Sequence, residues 1–86
     1  MKLRYISDPG HGWLEVPVKM LAELGIQDKI TSYSYRKGTM AYLEEDLDMH
    51  TFMTACYADK QVVELDEVYQ ERTAIRGYDQ YFTLAA

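Results

Sequence analysis

The chain has a single cysteine, Cys56, in 86 residues. No internal disulfide can staple it, and a thiolate zinc site lacks its second sulfur. A lone thiol fits a reducing compartment, and Cys56 in "MTACYAD" reads as core packing on a helix. No run of roughly 18 apolar residues occurs, so no membrane-spanning helix is expected. The first residues, "MKLRYISDPG", lack an apolar core segment, so no secretory signal is visible and a cytoplasmic setting is expected. The chain has no Gly-x-Ser-x-Gly elbow and no Ser-rich loop, which removes the usual nucleophile scaffolds. The EF-hand spacing, with its central Gly and distal Glu, is missing as well. No internal repeat and no low-complexity linker interrupts the chain, so one domain over 1–86 is expected.

Charge is what the chain has in unequal measure. The formal net charge is −5. Residues 44–71 hold nine acids (Glu44, Glu45, Asp46, Asp48, Asp59, Glu64, Asp66, Glu67 and Glu71) against one base, Lys60. Such a segment repels phosphate, which argues against direct nucleic-acid binding. It attracts a basic macromolecule and speeds the encounter. The bases Arg36, Lys37, Arg72 and Arg76 are too dispersed to form a phosphate-binding patch.

Turn and strand chemistry organises the first half. "KLRYIS" is rich in β formers, Asp8-Pro9-Gly10 has turn residues, and "GWLEV" alternates. Together they predict a hairpin. Pro17 suits a helix start, "PVKMLAELG" reads as a short helix, and Gly25 is its C-terminal cap with Ile26 as the apolar contact. Residues 29–45 read as a second hairpin, with "ITSYSY" extended, Arg36-Lys37-Gly38 turning and "TMAYL" returning. Met49, Phe52, Met53 and Cys56 recur at helical spacing, with Asp46 or Asp48 as N-cap and Leu47 as staple. Residues 61–69 alternate as a further strand. The tail, with Ile75, Tyr78, Tyr81 and Phe82, reads as a short helix or an extended segment lying on the sheet. The expected fold is α+β: a small two-layer domain, two β-hairpins plus one further strand in a mostly antiparallel sheet with two short helices, in the order β-β-α-β-β-α-β.

Three places invite a chemical reading. His11 and Trp13 flank Gly12, but a catalytic His needs a nucleophile or an orienting acid; the stretch reads as scaffold whose indole packs on the second hairpin. "EEDLD", with His50 following, has oxygen ligands for a hard cation but too few ligands for zinc. It reads as a helix cap with a solvated acidic face. No metal, no cofactor and no enzymatic activity are expected. Eight tyrosines exceed what a thin core needs, and Tyr is enriched at interfaces. The candidate partner-binding residues are therefore Glu44, Glu45, Asp46, Asp48, Glu64, Asp66 and Glu67, with Tyr33, Tyr35 and Tyr42 on an uncovered sheet face.

The stretches "YISDPGHGWLEVP", "LGI" and "YSYRKGTMAYLEEDLD", within residues 5–69, resemble small accessory proteins carried by bacteriophages and other mobile elements. That resemblance carries over no catalytic residue. It implies a non-enzymatic inhibitor of a host defence system, CRISPR–Cas or restriction, in the bacterial cytoplasm. The partner would be a host protein or ribonucleoprotein complex with a basic nucleic-acid-binding surface. Locally, "GWLEVPVKMLAELGIQDKITSYSYRKGTMAYLEED", residues 12–46, is similar to AbrB/MazE-like swapped-hairpin domains. This implies the alternative of a dimeric DNA-binding regulator, although Glu15 and the acids at 44–48 stand where a DNA face needs bases. A homodimer is left open.

Overall fold

The computed structural model describes residues 1–82. Its elements are β1 (Lys2–Ser7), β2 (Gly12–Pro17), α1 (Val18–Glu23), β3 (Tyr35–Lys37), β4 (Met40–Glu44), α2 (Asp48–Ala58), β5 (Glu64–Tyr69), a 3-10 turn at Ile75–Gly77, and β6 (Asp79–Gln80). The six strands form one sheet in the order β5-β1-β2-β4-β3-β6. Every pairing is antiparallel except β1 with β5, which is parallel. The α+β class and the mostly antiparallel sheet are as expected. No helix among the described residues is long and apolar enough to cross a membrane.

The two sheet faces are covered differently. Leu14 and Val16 of β2, with Ala41 and Leu43 of β4, point toward the helices. They pack with Leu21, Ile26, Ile30, Phe52, Cys56 and Tyr81. Each fully buried Leu, Val or Phe contributes about 1.5–3 kcal/mol by leaving water. On the other face Ile6, Trp13 and Tyr42 pack under Ile75. Residues 70–78 thus cross that face as a strap, from β5 at one margin of the sheet to β6 at the other. The tail is therefore both a short helical turn and a strand; its last residues, 83–86, lie outside the described residues.

Local chemistry explains where the elements stop. Gly25 takes φ 71°, the Ile26 amide reaches the Leu21 carbonyl at 2.9 Å, and Ile26 is buried. This is the glycine-capped helix end that the sequence predicts. Gly38 takes φ 59°, and Lys37 pairs with Met40. The turn of the second hairpin is thus Gly38-Thr39 rather than Arg36-Lys37-Gly38. The first strand of that hairpin is far shorter than "ITSYSY" suggests, because residues 31–34 turn toward Asp48 instead of pairing. The α2 N-cap position is Leu47, with no side-chain cap. Neither Asp46 nor Asp48 plays that part.

Candidate binding cleft

The turn at 8–11 is built around a buried acid. The Asp8 side chain is 1% exposed. Its carboxylate accepts from the amides of Gly10 at 2.9 Å and His11 at 3.0 Å, the Thr73 hydroxyl and the two terminal guanidinium nitrogens of Arg76, Nη1 and Nη2. Burial pushes the Asp8 carboxyl up, but the two amides and then Arg76 outweigh it and bring it down to about 2. Arg76 in turn lies over the Trp13 ring, 5.2 Å from its centroid. The strap is thereby pinned to the first hairpin by one ion pair and one cation–π contact.

Trp13 pairs with Glu44 across β2 and β4. Its ring meets Tyr35 edge-on at 6.4 Å and His11 at 5.9 Å. The packing of the indole on the second hairpin is as the sequence suggests. Beside these rings opens a cleft of about 450 Å³, lined by His11, Trp13, Tyr33, Tyr35, Glu44, Asp46, Leu47 and Arg76. Trp13 is buried; Tyr33 is 73% exposed and stands at the mouth. The Glu44 carboxylate is occupied by the amides of Asp46 at 2.8 Å and Leu47 at 3.2 Å, so it holds the β4–α2 turn. The exposed Asp46 carboxylate makes no hydrogen bond or ion pair among the described residues. The cleft thus offers aromatic faces and one free carboxylate.

The remaining acids are placed by β alternation and by the core. Asp48 is fully buried. It accepts the Thr31 amide at 3.1 Å, the Thr31 hydroxyl at 2.7 Å and the Ser34 hydroxyl. Asp48 therefore offers no charge to a partner, and the expectation that it does is corrected. Glu64 and Asp66 stand on the strap side of the sheet, in register with Lys2 and Arg4. Glu67 faces the other way, in register with Tyr5. There it joins Glu45 and Asp46: burial, the hydrogen bond from Tyr5 to Glu45, and the charges of Glu45, Glu67 and Asp46 push the Tyr5 hydroxyl up to about 12. The candidate acids do not form one continuous face. The compact group is Glu45, Asp46 and Glu67.

The tyrosines also divide. Tyr42, expected on an uncovered face, is buried under the strap because residues 70–78 cover that face. Its hydroxyl donates to Glu15 at 3.0 Å, and burial first, then that carboxylate, push it up to about 12. Tyr35 is half-buried against Trp13, so of the three candidate tyrosines Tyr33 alone presents most of its ring to solvent. Arg4 completes the row by pairing with Glu15 at 3.1 Å. The sequence carried no sign that Asp8 and Arg76 join, since they lie 68 positions apart. Among the described residues no three of His, Cys, Asp and Glu gather as a metal site would require. The chain matches no protein-family model, no curated protein and no solved structure.

Proposed function

We propose that the protein is a non-enzymatic binding module that takes a Lys or Arg side chain of a basic protein partner into this cleft. In its fuller form the proposal is a phage-encoded inhibitor. It would act in the bacterial cytoplasm on a host defence complex, CRISPR–Cas or restriction, by covering that complex's nucleic-acid-binding surface. The observation that carries the reading is the cleft itself, with aromatic rings beside an unpaired Asp46. Arg76 supports it from within, since a guanidinium already rests on the same indole. A cation over an aromatic ring gains about 0.5–2 kcal/mol, and more as it is desolvated. The Asp46 charge raises the association rate more than the final affinity.

The test is calorimetric titration with a short synthetic Arg-containing peptide at low and high salt. Binding is expected to weaken with salt and to fall roughly tenfold in Asp46→Lys and in Tyr33→Ala, with melting unchanged. Peptide binding indifferent to both substitutions, or none at low salt, overturns the cleft. Salt-sensitive binding to random duplex DNA by a dimer of the free protein would favour the swapped-hairpin regulator instead.

A further inference from the structure

The strongest feature outside the cleft is the free margin of the sheet. In β5 the Glu64 amide donates to the Met1 carbonyl at 2.8 Å, and the Gln70 amide donates to the Ser7 carbonyl at 2.8 Å. With the parallel register to β1, this fixes which backbone groups are used. Glu64, Asp66 and Val68 direct their N–H and C=O toward β1, and Leu65, Glu67 and Tyr69 direct theirs outward. Among the described residues no strand lies beyond β5. Leu65 is 39% and Tyr69 62% exposed, and Glu67 is exposed beside them. The opposite margin is β6, only two residues long. One margin of this sheet is therefore an extended, unpaired hydrogen-bonding edge.

Its side chains decide what can pair there. Glu64 and Asp66 stand on one face of the edge and Glu67 on the other. Two copies joined β5 to β5 would bring these acids together in either register, and like charges opposite each other oppose pairing. A strand bearing Lys or Arg meets opposite charge on both faces, while Leu65 and Tyr69 offer apolar contact to the residues between. We infer that β5 is a strand-addition site for an extended, basic segment of another protein. This rests on the sheet edge and not on the cleft, and either site can fail alone.

The experiment is amide hydrogen exchange on the full chain, alone and with a synthetic peptide alternating Lys with Val. In the free protein the amides of Asp66 and Val68 are protected, and those of Leu65, Glu67 and Tyr69 exchange quickly. With peptide, the latter three slow by roughly tenfold or more, while an alternating Glu–Val peptide leaves them unchanged. Asp66→Lys combined with Glu67→Lys is expected to weaken the basic peptide roughly tenfold at low salt. Glu67→Pro removes an outward amide without touching the β1 ladder and is expected to abolish pairing; the double-Lys variant tests the proposal even if the proline variant misfolds. Asp46→Lys leaves the exchange pattern intact. Unchanged exchange at 65, 67 and 69 with bound peptide overturns the proposal. The same protection appearing on dimerisation of the protein alone overturns it in favour of a second copy.

Discussion

Replacing Asp48 by Asn separates the parts of the acidic segment that hold the fold from those that can meet a partner. The Asp48 carboxylate is fully buried and takes one amide and two hydroxyls from the 31–34 turn. Hydrogen bonds to a charged group are worth about 1.5–3 kcal/mol each, and a buried donor left without an acceptor costs about 1–3 kcal/mol. The two hydroxyls can rotate toward other acceptors; the Thr31 amide is fixed by the backbone. Asn keeps the shape and one acceptor oxygen, so Asp48→Asn is expected to cost about 1–3 kcal/mol. Alanine, which orphans the amide outright, is expected to cost about 3–5 kcal/mol. A chain of this length has about 4–13 kcal/mol in all, so the Asn variant is the measurable one. At about 4–8 °C per kcal/mol, its melting temperature should fall by roughly 4–24 °C. Thermal denaturation followed by circular dichroism reads this directly. Combination with Ser34→Ala should show a coupling of about 0.5–3 kcal/mol, since both side chains belong to one network. Affinity for a basic peptide should not change, because Asp48 has no surface. A melting temperature within about 2 °C of the parent protein would refute the claim that this carboxylate anchors the turn.

Three further outcomes are expected. Because the Asp8 carboxyl lies well below its unfolded value of 3.8, the stability it contributes is complete above about pH 4 and is lost as pH falls toward about 2; urea midpoints across that range should show the loss, and Arg76→Ala should reduce it while the Gly10 and His11 amides keep part of it. Tyr5 and Tyr42 are raised to about 12, so their contribution is intact below about pH 10 and is lost between about pH 10 and 12; tyrosinate absorbance should show two late-titrating groups, one of them absent in Tyr42→Phe. Gly12→Ala places a methyl group against the Tyr5 hydroxyl and ring, so it should cost about 1–3 kcal/mol by overpacking and bring the Tyr5 titration toward its ordinary range as the Glu45 hydrogen bond is displaced.

Much of the architecture was legible because it depends on neighbours in sequence. Turn residues at 8–10, the Gly25 cap and the apolar spacing of Phe52 and Cys56 act over a few positions, and each stands where the pattern puts it, whereas the second hairpin turns at Gly38-Thr39 rather than at Arg36-Lys37-Gly38. What escaped depends on residues far apart. Nothing between positions 31 and 34 announces that Asp48 will draw that segment out of the sheet, so the pattern there suggests a longer strand than forms. Likewise, Tyr42 has the alternation of a half-exposed strand residue, and only the strap from 70–78 buries it. The acids suggest one surface because they are close in sequence. In a strand, successive residues point to opposite faces, and that alone separates Glu67 from Glu64 and Asp66. Trp13 was legible as an anchor, whereas the Asp8–Arg76 pair on which its ring contact depends was not.

The parallel union of β1 with β5 also has a kinetic side. β1 cannot find its outer neighbour until position 64 and beyond have been made, and the Trp13 face stays bare until Ile75 arrives. Contacts of such long sequence separation close slowly. During synthesis, then, the β1–β2 hairpin would keep apolar flanks uncovered until those later residues have been made.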